Sequence, residues 1–415
     1  MSKPHVLIVG AGLGGLTLAQ SLRKQGISFE IFERDAYETS RTQGWSLAIH
    51  TVLDDLQASV PDDMPPFQES VSAMHPTPVP DQLVFYLGGE RYVLTNPPET
   101  TFFVRANRQR LRRWLSTNID IQWGKFATKI EQGGDKVTLS FQDGSSASGD
   151  VLVGADGTNS VVREHVLGKS NKDILQHLPL STITAESILL TGEAFERQLE
   201  VTHSFALADV DHHHGSMLVQ GIMSSVPEQQ GAKYFWVLLW HDPIAQHTGQ
   251  NLVDILPREQ RLDIAREMTR GLAPRLTHVL RHTRPEHIRP TGWSPRDAVI
   301  DALPVSRATL LGDAAHPTSP FRGEGAVNAM RDAINLGRLL AQLQATDADA
   351  VHRALAAYQE EMVPRGVKVV TAARSQFSAY GGDGSKVRIL GRPLDKLPDE
   401  KAEIGPEGVR ITRLD

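Results

Sequence analysis

Three glycines near the start of the chain have the spacing of a phosphate-binding turn. The segment HVLIVGAGLGGLTLAQSLRKQG places Gly10, Gly12 and Gly15 in the pattern G-x-G-x-x-G, directly after an apolar, β-branched run. The first glycine permits a tight bend, the second lets the backbone approach a pyrophosphate, and the third lets a helix pack closely on the strand. The helix N-terminus offers free N–H groups and a positive dipole end to phosphate. A strand, a turn and a helix are therefore predicted here.

An acidic side chain follows this turn at the distance expected for a ribose partner. The segment SFEIFERD ends its apolar run at Glu33, 18 residues after Gly15. A carboxylate at this place accepts hydrogen bonds from the ribose hydroxyls of an adenine dinucleotide. The whole pattern predicts a dinucleotide site, and at this point it fits FAD and NAD equally.

A second buried strand also ends in glycine and aspartate. The segment DVLVGADGTNSVVREHV places Asp156 after the apolar run, with Asn159 or Ser160 in position to cap a short helix. An ordinary strand-to-helix turn has the same pattern. A carboxylate beside a buried strand needs a partner, because burying an unpaired charge is costly. We expect that partner to be Arg163 or a residue of the basic segment RANRQRLRR, in which Arg108 begins a helix.

A third turn of this kind lies roughly 300 residues after the first. The segment ATLLGDAAHP predicts a strand that ends at Gly312 and Asp313, and GEGAVNAMRDAINLGRLL predicts a helix that begins at Gly323–Gly325. Ligands of open α/β sheets bind at the carboxyl ends of the strands. The N-terminus of the predicted helix is a second place suited to an anion.

The elements that hold these turns predict an α/β protein. Alternating buried strands and helices indicate a Rossmann-like domain, whereas strand-like runs from about 175 to 290 indicate an inserted mixed β-sheet with a helical cover at 258–281. The predicted organisation is a discontinuous cofactor-binding domain over 1–75, 100–175 and 290–345, a substrate-binding domain over 76–99 and 176–289, a C-terminal helix over 346–380, and a tail over 381–415.

Composition excludes several classes of function. The 415 residues carry a net charge of −6, so we expect no partner nucleic acid. The chain has no cysteine, which excludes disulfides and thiolate metal sites and fits a reducing, cytoplasmic location. No apolar run reaches the ~18 residues of a transmembrane helix. The triplet HHH at 212–214 has no matching ligands, so a solvated loop is expected there and no metal site.

Taken together, the three turns resemble those of the class A flavoprotein monooxygenases, which include aromatic hydroxylases and tetracycline-inactivating enzymes. The matching motifs are the N-terminal glycine turn with Glu33–Arg34, the element GADGTNSVVR, and LLGDAAHP followed by PFRGEG. They stand in the family's order and cover about residues 1–375. The resemblance implies FAD as the cofactor, with the first and third turns holding opposite halves of one FAD molecule.

The resemblance also implies a role for each matching position. The FAD pyrophosphate would contact the first turn, which consists of Gly10, Gly12, Leu13, Gly14 and Gly15. Glu33 would bind the ribose and Arg34 would lie near the adenine. Arg41 and Arg108 would lie beside the cofactor. Asp156 belongs to a motif linked to FAD and nicotinamide cofactors, and Asp313 to the ribityl and pyrophosphate side. The flavin ring would lie against Pro320 and the start of the last helix, with Gly323, Gly325, Ala326 and Val327.

The substrate pocket is expected to form from residues 45–50, the inserted sheet near 203–240, and the loop before the last helix. Its candidate side chains are Trp45, Leu47, Phe321 and Arg322. Family members usually have a small residue in place of Arg322, which would bind an anionic or carbonyl-rich substrate, the phosphates of the nicotinamide cofactor, or a carboxylate such as Glu324. Val327 stands where the family often has Asn, so only backbone contacts are expected there. His316 is interpreted as structural.

The implied reaction is the hydroxylation or epoxidation of a small to medium organic molecule by dioxygen, through a flavin hydroperoxide, with NADPH or NADH as a transient electron donor. No catalytic side chain and no metal are assigned, because the cofactor supplies the chemistry. A flavin-dependent halogenase is disfavoured because the motif W-x-W-x-I-P is absent. The same motifs are compatible with an FAD-dependent reductase, oxidase or cyclase and with a flavin-binding redox sensor. The oligomeric state, monomer or dimer, stays open.

Overall fold

The computed structural model describes residues 3–41, 45–96, 101–211, 215–292, 294–379, 388–389, 392–393, 395–396, 400–405 and 408–413. The strands are β1 His5–Val9, β2 Ser28–Glu33, β3 Ser46–Ile49, β4 Gln82–Leu87, β5 Glu90–Thr95, β6 Val104–Asn107, β7 Ile121–Trp123, β8 Ala127–Gly133, β9 Lys136–Phe141, β10 Ser146–Gly149, β11 Val151–Gly154, β12 Gln176–His177, β13 Leu180–Thr191, β14 Phe205–Asp211, β15 Ser216–Val226, β16 Gly231–His241, β17 Arg296–Asp297, β18 Ala308–Leu310, β19 Arg388–Ile389, β20 Arg392–Pro393, β21 Asp395–Lys396, β22 Glu400–Gly405 and β23 Gly408–Arg413.

The helices are α1 Leu13–Gln25, α2 Leu53–Ser59, α3 Phe67–Val71, α4 Arg108–Leu115, α5 Val161–Leu167, α6 Asn171–Ile174, α7 Glu193–Val201, α8 Pro243–Thr248, α9 Arg258–Met268, α10 His278–Arg281, α11 Gly325–Ala341 and α12 Ala348–Ala379. Two short 3-10 turns, Gly312–Ala314 and Pro320–Arg322, precede α11. No helix within the described ranges combines the length and the apolar character needed to cross a membrane.

A parallel five-stranded sheet brings the three glycine-rich turns together. Its order is β18-β11-β1-β2-β7, and the central strands are buried on both faces, as their continuous apolar sequence predicts. In the register of the sheet, Val9 lies opposite Gly154, and Gly154 lies opposite Leu310. All three strands therefore end at the same edge, and the turns that follow them face a common space.

The first turn is shaped by how closely α1 approaches β1. Gly10 has a φ of +107°, a conformation that favours glycine. A Cβ atom at Gly15 would lie 2.0 Å from the carbonyl oxygen of Gly10, so no larger residue fits there. Helix α11 packs against α1 on the same side, where a Cβ at Gly337 would lie 2.3 Å from Ser21 Oγ. The two helices that begin at the sheet edge are therefore locked side by side.

A second, seven-stranded sheet has the order β13-β16-β15-β14-β4-β5-β21. Strands β14 and β4 pair in parallel and the other neighbours are antiparallel, which makes the sheet mixed. Its aromatic and β-branched side chains pack under α7, α9 and α10. The predicted helical cover over 258–281 consists of two helices with turns between them. The predicted fold class, a Rossmann-like domain with an inserted mixed sheet and C-terminal helices, is confirmed.

The described part of the C-terminal segment lies against the mixed sheet. Strand β21 pairs with the edge strand β5, and β22 and β23 form a hairpin. The Glu400 carboxylate is buried and lies 3.0 Å from Arg91 Nη2 and 3.5 Å from His203 Nε2. Burial raises the pKa of Glu400, but His203 and Arg91 outweigh it and lower the pKa to about 2. The triplet at 212–214 lies outside the described residues.

Candidate active site

One deep cavity of about 600 Å³ opens at the shared edge of the parallel sheet. Eleven of the residues predicted from the sequence line it: Gly12, Leu13, Gly14, Trp45, Leu47, Arg108, Asp313, Pro320, Gly323, Gly325 and Ala326. These residues come from five separate segments of the chain. The cavity is therefore long enough to reach from the start of α1 to the start of α11.

The first turn presents an uncapped helix end to the cavity. Gly12 is the N-cap of α1, and among the described residues no side chain caps the N–H groups of the first turn of that helix. A Cβ atom at Gly12 would meet nothing within 4 Å, so the space in front of its backbone is open. Free N–H groups at a helix start, with an open cradle before them, suit a pyrophosphate. Gly10 and Gly15 do not line the cavity and instead permit the close packing behind the turn.

Glu33 ends β2 beside this turn. Its carboxylate oxygens accept hydrogen bonds from the backbone N–H of Ala11 at 2.9 Å and of Asp35 at 3.0 Å. Arg112, which the sequence reasoning missed, donates from Nε to the carbonyl of Ala11 at 2.8 Å and holds Nη2 3.8 Å from Glu33. The glycine motif does not predict the contact with Arg112, because α4 is brought to this turn only by the fold. Its two contacts fix the orientation of the acid.

The three other arginines predicted beside the cofactor have different surroundings. Arg34 is exposed and lies outside the cavity lining. Arg41 is 53% exposed and pairs with Asp35 at 2.8 Å. Arg108 begins α4, lines the cavity, and interacts electrostatically with both Asp313 and Arg41. Burial lowers the pKa of Arg108, and the charge of Asp313 opposes that shift. Arg108 is the one of the three that the structure brings into the cavity.

Asp313 projects from the 3-10 turn after β18. Its side chain is exposed only where the cavity is open, and the surrounding protein raises the pKa of its carboxyl. The charges of His316, Arg108 and Arg163 and the hydroxyl of Thr158 act in the opposite direction. The carboxylate therefore faces the cavity among positive groups, which suits hydrogen bonds with the hydroxyls of a polyol chain.

Asp156 is held by the start of α5 and not by an arginine. Its carboxylate accepts hydrogen bonds from the Ser160 hydroxyl at 2.5 Å and from the Val161 N–H at 2.7 Å. Ser160 is also the N-cap of α5. The prediction that Arg163 pairs directly with Asp156 is wrong. The guanidinium of Arg163 extends instead to the third turn. There Arg163 Nη1 donates to the carbonyls of Asp313 and Ala314, both at 3.1 Å.

His316 belongs to a buried network behind the Asp313 turn. Its Nε2 lies 2.7 Å from Asp332, whose carboxylate also accepts from the Gly312 N–H and from Arg365, each at 2.7 Å. Burial alone would lower the pKa of His316, but Asp332 raises it. Burial would raise the pKa of Asp332, but His316 and Arg365 lower it. The network fixes the turn, which agrees with a structural role for His316.

The second uncapped helix end is that of α11. Gly325 and Ala326 line the cavity, and no side chain caps the helix start. Val327 has its side chain in the hydrophobic core and is not among the residues that line the cavity. Arg322 donates to both oxygens of Glu324, at 2.8 and 3.0 Å, and is absent from the lining. Of the three partners expected for Arg322, the carboxylate is therefore the one that the structure shows. The side chain of Phe321 lies outside the described residues.

The remaining wall of the cavity was only partly predicted. Trp45 and Leu47 line it as expected, but the described residues of 203–240, which exclude 212–214, do not. Their place is taken by Thr184 of β13 and by the segment that contains Arg289, Thr291 and Gly292. Strand β13 comes earlier in the same mixed sheet, and no local motif marks residues 289–292. The described residues contain no group of three side chains able to hold a metal ion.

The donor set suits an extended dinucleotide with a flat ring system. Two uncapped helix starts, an open cradle at Gly12, Arg108 and the Asp313 carboxylate all face one cavity. Helix N-termini stabilise negative charge, which both a pyrophosphate and an electron-rich ring carry. The residues present therefore fit FAD, and Trp45 and Thr184 line the same cavity.

Comparison with known proteins agrees with this geometry. The model of the family described as FAD binding domain matches residues 3–373. The chain is 41% identical over 404 residues to the FAD-dependent monooxygenase thnD of Trichoderma harzianum, covering 95% of this chain and 97% of the relative. It is 27% identical to 3-hydroxybenzoate 6-hydroxylase of Klebsiella oxytoca, covering 93% and 91%. The crystal structure of Klebsiella pneumoniae HpxO complexed with FAD and uric acid has the same fold, with a TM-score of 0.69, 22% identity, and coverage of 91% and 89%.

Proposed function

Because the chain belongs to the FAD binding domain family and is a class A flavoprotein monooxygenase, we propose that it hydroxylates or epoxidises a small to medium organic substrate at the expense of NADPH or NADH. The observation that supports this most strongly is that the starts of α1 and α11, Trp45 and Thr184 all line one cavity. FAD would occupy the part beside the two helix starts, and the part beside Trp45 would be the chamber that holds the molecule to be oxidised.

FAD would be held at several points by residues of this chain. The N–H groups at the start of α1 bind the pyrophosphate, and Gly12 leaves room for it. Glu33, oriented by Arg112, accepts from the ribose. Asp313 bonds the ribityl chain, and Arg108 balances its charge. When bound, FAD would supply the redox chemistry: electrons from the nicotinamide cofactor would be used to activate dioxygen, one oxygen atom would enter the substrate, and the other would leave as water.

Helix α11 has a specific electrostatic task in this reaction. Its N–H groups at Gly325 and Ala326 face the cavity without a side-chain cap. They are fixed before negative charge develops on the nearby ring, so stabilising that charge needs no reorganisation. Pro320 and Trp45 line the cavity and would shield the reacting atoms from water. The protein therefore contributes position, electrostatics and a dry chamber.

The reaction is tested by adding NADPH or NADH to the FAD-loaded protein in air, with and without candidate aromatic substrates. We expect a substrate to accelerate nicotinamide oxidation and to gain one oxygen-18 atom from labelled dioxygen. Accelerated oxidation that yields only hydrogen peroxide would identify an oxidase instead. If no compound gains the label, the monooxygenase reaction proposed here is wrong.

The placement of FAD is tested separately with Asp313→Ala. We expect this variant to lose most of its FAD on gel filtration, because the ribityl partner is gone. Asp63→Ala removes a carboxylate of similar size from a surface pair with Arg23, 2.7 Å away, and serves as the matched control. Stoichiometric yellow FAD in the Asp313→Ala variant would remove Asp313 from the site.

A further inference from the structure

The cavity contains polar side chains that FAD binding leaves unused. Thr184 and Ser319 line it, and both residues are only 2% exposed. Within the described part of the chain, neither hydroxyl oxygen has a hydrogen-bond partner. Buried hydroxyls are normally paired with protein or with another molecule. These two mark a wall at which a ligand completes the hydrogen bonding.

A positively charged residue, Arg289, lies beside Thr184. The backbone N–H of Arg289 donates to the carbonyl of Thr184 at 2.9 Å, so the two residues run side by side along β13. The Arg289 side chain is 37% exposed and lines the cavity. Among the described residues its guanidinium has one partner, Glu186, at 3.4 Å from Nη1. A guanidinium carries five N–H donors, so most of those of Arg289 remain for a ligand.

Glu186 connects this cation to an aromatic wall. The same oxygen, Oε2, accepts from the Trp45 indole N–H at 3.2 Å. The Trp45 ring is stacked on Phe235 with ring centroids 5.0 Å apart and an interplanar angle of 7°. Trp45, Glu186 and Arg289 are thus one connected unit, in which a flat apolar surface is linked through Glu186 to a guanidinium.

The other arginines near the cavity are committed elsewhere. Arg322 donates to both oxygens of Glu324, and Arg108 interacts with Asp313. Arg289 pairs through a single 3.4 Å contact with Glu186, so its guanidinium keeps donors for a ligand oxygen with negative charge.

The geometry points to Arg289 as the residue that selects the substrate: it binds an acidic oxygen of an aromatic ring, while Thr184 bonds a second oxygen and Trp45 borders the ring. This inference rests on the proposed function, because it takes the chamber as the substrate site.

A cation beside a phenol favours the ionised form of the phenol, with the proton released to water. The ring then becomes more electron-rich, as oxygen transfer to carbon requires. The acidic oxygen belongs to a phenolate or to a carboxylate, and both sources are tested.

The test uses three naphthalene probes of similar size with the FAD-loaded protein. They are 1,3-dihydroxynaphthalene, 2-naphthoate and 1,3-dimethoxynaphthalene, which has no acidic oxygen. Binding is followed by the change in flavin absorbance or by quenching of tryptophan fluorescence. We expect Arg289→Gln to weaken binding of an acidic probe by about tenfold or more, since a charge-assisted hydrogen bond is lost, and to change the dimethoxy probe by less than about twofold. The probe with the larger loss identifies the source of the oxygen.

Further variants separate recognition from folding. Arg289→Lys retains the charge without the planar fork and should restore part of the affinity. Thr184→Val removes only a hydroxyl and should weaken the acidic probes by a few-fold. Arg266→Gln, from an exposed pair with Asp263, is the matched control. FAD content and circular dichroism are measured for each variant.

The outcomes for this site and for the proposed reaction are distinguishable, because the titrations need no turnover. If Arg289→Gln weakens all three probes alike, or none of them, Arg289 does not select the substrate. Failure of the wild-type protein to bind either acidic probe would also overturn the inference. Selective binding without nicotinamide oxidation would instead refute only the reaction.

Discussion

Removing the Asp332 carboxylate is the most direct way to test how the third turn is held. Asp332 is fully buried and accepts three hydrogen bonds of 2.7 Å, from the Gly312 N–H, from His316 and from Arg365. Asp332→Ala leaves the His316 ring and the Gly312 N–H without their buried partner, whereas Arg365 loses one carboxylate and keeps its contact with Glu361 at 2.7 Å. Breaking a buried ion pair by deleting one member costs about 3–5 kcal/mol, and an unsatisfied buried N–H costs about 1–3 kcal/mol.

We therefore expect Asp332→Ala to lower the free energy of unfolding of the FAD-free protein by at least about 3 kcal/mol. The assay is urea unfolding followed by circular dichroism at neutral pH, at fixed protein concentration. Asp55→Ala is the matched control, because Asp55 forms a half-exposed pair with Arg338 on the same helix α11, at 2.7 Å. Exposed pairs contribute about 1 kcal/mol or less. Equal losses in the two variants would refute the view that Asp332 holds the turn.

Three further predictions concern the first and third glycine-rich turns. Gly12→Ala should leave the FAD-free fold intact, because the extended backbone of Gly12 accepts alanine and the space before it is open, but it should weaken FAD binding. Gly15→Ala should destabilise the fold itself, because a Cβ atom there meets the backbone of Gly10. Equal unfolding midpoints for the two variants would contradict this difference. Glu33→Gln should raise the Kd for FAD by about tenfold, as measured by flavin fluorescence, and an unchanged Kd would exclude a ribose contact. Because the pKa of His316 is raised above 6.5, the protonated ring stabilises the fold below that pH, and the gain is lost as the pH rises through the folded pKa. The wild-type urea midpoint should therefore fall as the pH is raised above about 6.5, and His316→Gln should lack this fall.

The cofactor side of the cavity is encoded locally, which is why the sequence predicts it well. Each turn consists of consecutive residues: a buried strand, a glycine and then an acid or a helix start. Strand periodicity and glycine spacing therefore locate Gly12 and Asp313 without knowledge of the fold, and both line the cavity. Val327 shows the limit of this reasoning. It lies next to Ala326, but the helical rotation of α11 turns its side chain into the core.

The substrate side is not encoded locally. Thr184 and Arg289 are about 100 residues apart in the sequence, and they meet only because the chain returns to run along β13. Arg322 is an unusual charge near the predicted ring site, but its guanidinium is hydrogen-bonded to Glu324, two residues away. The contacts of Arg112 and Arg163 cannot be predicted from the local sequence, because their partners are distant in the chain. Their backbone partners, Ala11 and Asp313, lie on distant elements and carry no recognisable side-chain pattern.

The pairing of β21 with β5 has a consequence for how the protein forms during synthesis. Strand β5, at Glu90–Thr95, leaves the ribosome about 300 residues before its partner at Asp395–Lys396. Until β21 has been made, the β5 edge therefore lacks that partner, and such an edge is a template for association between nascent chains. Chains that terminate between α11 and β21 would retain the three glycine-rich turns and α11 but expose this edge, so they should depend on chaperones more strongly than chains that include β21.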